Sequence, residues 1–340
     1  MATRELISVD LALQGGGAHG AFTWGVLDRL LEQDWLKIEG ISGTSAGAMN
    51  AAALISGHAA RGAQGAREAL ELFWRRVSEA GRLSPLQRNP VDVLLGRWTL
   101  DTSPFFIMTD MISRVFSPYD LNPKDVNPLR GILEDVIDFR KVAAAPIKIF
   151  VTATSVATGR ARVFRNADLT SDSLLASACL PTMFQAIEIE GQAYWDGGYS
   201  GNPTITPLVR ECVSRDTILV QINPIARREK PRSATEIANR LNEVSFNAVL
   251  LKELRMIALL RQAANPGDRE GAQWAGMRIH RISTEMMTKL SASSKLLAEW
   301  EFLCMLRDEG RRSANAFLDL HGNDLGMRST LDLDALLEGI

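Results

Sequence analysis

The chain has few residues that would cross-link it, almost no net charge and no run that would carry it through a bilayer. Its 340 residues include three cysteines, Cys179, Cys212 and Cys304, an odd number without metal-ligand spacing. That excludes a disulfide framework and points to buried free thiols in a reduced, intracellular setting. No stretch approaches the ~18 consecutive apolar residues of a membrane span. Residues 1–10 show neither a signal-peptide apolar core nor a small-residue cleavage site, so a cytoplasmic location is expected. The net charge of −2 gives no global footprint for nucleic acid. Histidine is scarce: His19, His58, His280 and His321 are the whole set. Internal repeats and low-complexity segments are absent.

What remains is ordinary globular material, 46% hydrophobic and 23% charged, enough for one large domain or two modest ones. Leu6 to Leu13 reads as a strand, Gly15 to Gly20 as a glycine loop, and Ala21 to Gln33 as a helix with Val26, Leu27, Leu30 and Leu31 at helical spacing. A second strand follows at Ile38 to Ser42, then helices at Ala46 to Ser56 and Gly65 to Glu79. Strand, helix and strand in such quick succession imply a right-handed crossover and a parallel sheet. Further strands are expected at Ile147 to Thr154, Gly159 to Phe164, Ile187 to Trp195 (turning at Glu190-Gly191-Gln192) and Ile218 to Ile222. The charged run Arg227 to Arg232 reads as a solvated connector to a mainly helical tail, with one more strand at Met277 to Ile282.

Chemistry concentrates in four blocks. Gly43-Thr44-Ser45-Ala46-Gly47, between a strand and a small-residue helix, has the pattern of a nucleophile elbow. A serine hydroxyl needs an exposed tight turn, an adjacent base and oxyanion donors before it attacks a carbonyl. Gly43 and Gly47 leave that turn unobstructed. The loop Gly15-Gly16-Gly17-Ala18-His19-Gly20 exposes consecutive backbone N–H groups at a helix start, suited to an oxyanion, with the Ala46 N–H as a further donor. Gly15, Gly17 and Gly20 also fit a dinucleotide fingerprint, but the carboxylate due at the end of the second strand is missing, since Glu39 precedes that strand. The third block is Ala176-Ser177-Ala178-Cys179-Leu180-Pro181. The fourth, Asp196-Gly197-Gly198, puts a carboxylate on a tight turn at a strand end. No histidine carries a local signature for a base, His19 being a candidate substrate contact only. Ser45 with Asp196 as its base is the favoured pairing, although Asp-Gly alone is a common turn.

In this order the blocks resemble the patatin-like phospholipases, lipid acyl hydrolases that use a serine–aspartate pair. The resemblance covers about residues 7–223. It implies a three-layer α/β/α fold around a mostly parallel sheet, with a mainly helical C-terminal extension. It implies Ser45 as nucleophile, Asp196 as base and Gly15, Gly16, Gly17 and Ala18 as the oxyanion loop, supported by Gly20, Gly43, Gly47, Gly197 and Gly198. Cleavage of fatty-acyl esters through an acyl-enzyme, without metal or cofactor, is the expected activity. One departure is His19, where the family loop usually carries Arg or Lys.

Two regions are expected, a catalytic domain over 1–228 and a helical region over 229–340 packed on it. The proline-broken segment 84–130, with Trp98, Phe105, Phe106 and Met108, is a candidate lid, acyl pocket or peripheral membrane contact; a satisfied cap is the equal alternative. Apolar stripes at Val244 to Leu260 and Leu296 to Leu306 suit core packing, or else a homodimer. A thioesterase or acyltransferase would use the same serine, and a non-catalytic lipid binder would need neither Ser45 nor Asp196; the motifs alone do not separate a lipase from the first two.

Overall fold

A computed structural model describes residues 5–82, 84–227, 229–263 and 269–336. Eight strands among them form a single sheet: β1 (Ile7–Leu13), β2 (Leu36–Gly43), β3 (Lys148–Ser155), β4 (Ala161–Arg165), β5 (Ile187–Ile189), β6 (Gln192–Asp196), β7 (Asp216–Val220) and β8 (Arg278–Ile282). The order is β5-β6-β3-β2-β1-β7-β8, with β4 also on β3. The five strands from β3 to β8 in that order run parallel, whereas β4 and β6 pair antiparallel with β3, and β5 with β6. Glu190 and Gly191, both at positive φ (53° and 74°), turn β5 into β6 at the position the sequence suggests.

The helices are α1 (Gly20–Leu30), α2 (Ala46–Gly81), α3 (Pro90–Leu94), α4 (Pro104–Ser113), α5 (Pro118–Leu121), α6 (Leu129–Val136), α7 (Phe139–Ala144), α8 (Ser171–Ser177), α9 (Thr206–Glu211), α10 (Ala234–Gln262), α11 (Arg269–Ala275), α12 (Met286–Lys289) and α13 (Trp300–His321). Side chains alternate across the pleat, so the central strands feed two cores. Leu11, Leu13, Ile41, Ile149 and Val151 join one core with α1, α2 and α13; Ala12, Phe150, Leu219 and Ile279 join the other with α9, α10 and α11. This is the expected three-layer α/β/α arrangement around a mostly parallel sheet.

The helix pair expected around residues 46–79 is present, its two helices meeting at a kink at Arg61 and Gly62, where Gly62 turns to φ 60°. The prolines of 84–130 start helices more than they break them. Pro90, Pro104 and Pro118 each sit in the first turn of α3, α4 and α5, where a missing N–H costs nothing. At Trp98 the satisfied-cap alternative holds, since it packs on Phe302 (ring centroids 5.1 Å apart) under Arg88, and Phe106 is half-buried. Phe105 and Met108 are exposed, together with Leu94, Met111, Val115 and Phe116.

The tail is integral to the sheet. β8 extends it beyond β7, and α13 lies along α1, burying Phe302, Leu303, Leu306, Ala314 and Phe317. Leu303, Leu306, Gly310, Ala314 and Phe317 recur at three- and four-residue intervals, so that apolar stripe serves the core. The described residues of the charged run are exposed but for the half-buried Pro231, as a solvated connector requires, and Arg227 adds a tie to the core. Its guanidinium pairs with the buried Glu243 carboxylate at 2.6 Å and donates to Thr288 O. Among the described residues no helix is long and apolar enough to cross a membrane. Cys179 and Cys212 are buried free thiols, and Cys304 is half-buried.

Candidate active site

Because β1 and β2 are parallel neighbours with Leu13 opposite Gly43, the loops leaving their carboxyl ends emerge side by side. Such ends are where open α/β sheets carry their sites. The first loop is Gln14 to His19; the second is Thr44-Ser45, which enters α2. Ser45 sits at φ 53°, ψ −123°, a left-handed conformation that L-residues other than glycine rarely hold. It is fixed from several sides. Its N–H donates to Ser177 Oγ at 2.8 Å, and the neighbouring Thr44 N–H donates to Leu13 O at 3.3 Å. At Gly47 a Cβ would collide with the carbonyl oxygens of Leu13 and Gln14, so glycine is required for the turn to sit this close to β1.

Asp196 reaches the same place from β6. Its backbone N–H donates to Cys179 O at 2.8 Å and its carbonyl accepts Thr154 Oγ1 at 2.8 Å. Thus the Ala176–Pro181 block holds both ends of the predicted pair: Ser177 the serine, Cys179 the aspartate. The carboxylate is buried, accepts the Gly198 N–H at 2.7 Å and interacts with the Ser45 hydroxyl. Burial pushes its pKa up to about 7, a rise that the Gly198 N–H, Ser45 and Lys295 partly oppose.

The four predicted loop donors do not stand alike. The Gly15 N–H is already spent on Asn202 Oδ1 at 2.7 Å, which removes it from the oxyanion set. The N–H groups of Gly16, Gly17, Ala18 and Ala46 have no acceptor among the described residues. His19 does not face the site. Its ring is buried, Nε2 lies 2.7 Å from Ser294 Oγ, and its edge meets Phe302. Burial, helped by nearby Lys295, lowers its pKa to about 3, so it is a neutral structural group. At the start of the helix the chain turns the His19 side chain into the protein, a direction the motif does not disclose.

Ser45, Asp196 and residues 15–18 border one cavity of about 300 Å³ whose walls include Met49, Phe73, Trp74, Leu180, Met183 and Phe184. Phe246, Lys295, Leu296 and Ala298 close it from the C-terminal region. A second cavity of about 350 Å³ near Leu6, Leu36 and Pro146 contains no serine or cysteine. His280 pairs with Asp216 Oδ1 at 3.0 Å, but neither borders the Ser45 cavity. No group of three or more His, Cys, Asp or Glu side chains among the described residues is placed to hold a metal ion.

Several residues that shape the site carry no motif. Gln14 Oε1 accepts the N–H groups of Ile222 and Asn223, both at 2.9 Å, and its Nε2 donates to Asn202 O and Asn247 Oδ1. Asn223 Nδ2 in turn donates to Gly15 O at 2.8 Å. This buried amide network ties the glycine loop to β7 and α10. Its one sequence trace is the pair of Asn-Pro dipeptides at 202–203 and 223–224, which mark turns and nothing more specific.

A family model described as patatin-like phospholipase matches residues 11–209. No curated protein matches the chain. Among solved structures, VipD from Legionella pneumophila is 14% identical with a TM-score of 0.42, over 94% of this chain and 68% of that one, too loose a likeness to bear on function. The family match spans more than half of the sequence and runs from β1 to α9, across both loops and the β6 turn. On that match the chain belongs to the patatin-like phospholipase family.

Proposed function

We propose that the protein hydrolyses fatty-acyl esters of lipids, with Ser45 as nucleophile and Asp196 as its only protein base. The observation that carries this reading is the left-handed Ser45 at the rim of an apolar cavity that the buried Asp196 carboxylate also borders. Asp196 takes the Ser45 proton as Oγ bonds to the acyl carbon, and the oxyanion so formed is received by the free amides of Gly16, Gly17 and Ala18. Collapse breaks the bond to the leaving oxygen, which recovers the proton from Asp196. Water then attacks the acyl-enzyme, giving its proton to Asp196; release of the fatty acid returns that proton to Ser45 Oγ. A carboxylate in water is too weak a base for a hydroxyl, and burial is what raises its basicity here.

The apolar walls suit a hydrocarbon chain, and the exposed side chains of α3, α4 and the turn after α4 suit contact with a lipid surface. The same dyad would serve a thioesterase or acyltransferase, so the leaving group and acceptor are for the assay to decide. Fluorophosphonate labelling of wild type, Ser45→Ala and Asp196→Asn tests the assignment, together with hydrolysis of phospholipid, neutral ester and thioester substrates. Ser45→Ala is expected to lose labelling entirely, and Asp196→Asn to lose roughly 10²–10⁴-fold in kcat. Labelling that persists in Ser45→Ala would overturn the reading.

A further inference from the structure

Residues 291–297 lie far beyond the stretch matched by the family model, yet they seal the cavity beside the glycine loop. Three contacts press them there. Ser294 Oγ meets His19 Nε2 at 2.7 Å. The Lys295 carbonyl lies so near Gly17, itself at φ 57°, that a Cβ on Gly17 would strike it. Lys295 Nζ donates to Asn223 Oδ1 at 2.8 Å, and Asn223 holds Gly15 O. The lysine is therefore braced on the loop by its backbone and by its ammonium.

That ammonium is short of partners. It carries three protons, and among the described residues it has one acceptor, a neutral amide oxygen. Glu243, the nearby acid, is engaged by Arg227 at 2.6 Å and by Arg240 at 3.0 Å. Of the residues bordering the cavity, only Asp196 and Lys295 bear charge. A cation held in an apolar enclosure with so few bonds is costly; the charges of Glu243 and Asp196 offset part of that cost, and a developing oxyanion would offset more. His19, standing where the family loop usually has a cation, is neutral and supplies none.

We propose that Lys295 provides the positive charge for the oxyanion that develops over Gly16, Gly17 and Ala18, so that the C-terminal region restores from a distance the cation missing at position 19. The role rests on the Ser45–Asp196 reading. His19 and Ser294 become positioning residues, clipping the lysine-bearing turn to the loop. A charge aimed at the transition state lowers kcat when removed and leaves KM little changed.

The test uses the full chain and a short-chain p-nitrophenyl ester. Lys295→Gln is one atom shorter, keeps an N–H donor and carries no charge, and its kcat is expected to fall roughly 10²-fold, the scale of one lost oxyanion donor. Lys295→Arg should retain more activity than Lys295→Gln. Lys295→Ala should be partly and saturably rescued by added ethylammonium, a response that a purely structural role would not give. Fluorophosphonate should still label Lys295→Gln to completion, but more slowly. Wild-type kcat in Lys295→Gln would overturn the proposal, as would equal losses in the Arg and Gln variants with no ethylammonium rescue. Should Lys295→Ala fail to fold, the Gln and Arg pair decides. A wild type that resists labelling would remove the dyad and this role together, whereas a labelled wild type with an unaffected Gln variant removes this role alone.

Discussion

As the proposed base, Asp196 would set the pH behaviour of the site. Its ordinary value lies near 3.8, and burial raises it to about 7 in the folded chain, against the Gly198 N–H, the Ser45 hydroxyl and the Lys295 cation. A base must be ionised to work, so kcat/KM is expected to rise with pH through about 7 and level off above it; a profile flat from pH 5 to 8 would contradict the assignment. Stability runs the other way. The unfolded chain ionises Asp196 near pH 4 while the folded chain keeps the proton until about 7, so folding free energy is lost across that window as pH rises. Asp196→Asn should therefore melt no lower than wild type at pH 8 while being nearly inactive, measurable by thermal unfolding beside the ester assay. The two side chains proposed to act were legible because each stands in a short glycine-flanked motif that the turn geometry dictates. Lys295 and the Gln14, Asn202 and Asn223 amides were not: their roles arise from contacts 187 or more positions apart for Gly15–Asn202 and Gly15–Asn223, and no local pattern encodes them.

Among the elements, α4 is unusual in burying none of its ten residues, although Phe105, Ile107, Met108 and Met111 lie on it. The segment is not adrift, since Leu100 N–H donates to Ser293 Oγ at 3.0 Å and Gln185 Nε2 to Asn122 O at 2.8 Å. An anchored segment with an apolar exterior is suited to sit in a lipid interface at a modest conformational cost. Replacing Phe105, Met108 and Met111 together by serine should reduce co-flotation with phosphatidylcholine vesicles several-fold while sparing hydrolysis of a soluble short-chain ester. Wild-type protein that fails to float with vesicles would sink the membrane role. The sequence exposed the apolar content of 84–130 but not its direction. Prolines that read as breaks are helix starts, and only the tertiary fit against Phe302 separates the inward Trp98 from the outward Phe105.

At the scale of the whole molecule, the β1-to-α9 body and the C-terminal region share one sheet and one cavity. Their closest seam is α1 against α13, where a Cβ on Gly25 would strike the Arg307 carbonyl and one on Gly310 the Phe22 carbonyl. Arg311 and Arg67 flank it, both paired with Asp28 and Glu32. Gly25→Ala should force the helices apart and cost about 1–3 kcal/mol, read as a lower urea midpoint; an unchanged midpoint would show the seam to be slack. Strand and helix periodicity made the α/β body readable, including β8, because local hydrophobic patterns suffice for it. How the tail folds back did not follow, since that docking depends on surfaces formed only once the sheet exists. One consequence concerns biosynthesis. Ser45 and Asp196 leave the ribosome before Phe246, Lys295, Leu296 and Ala298, so a nascent chain would hold the proposed pair for a time without the C-terminal wall of its cavity.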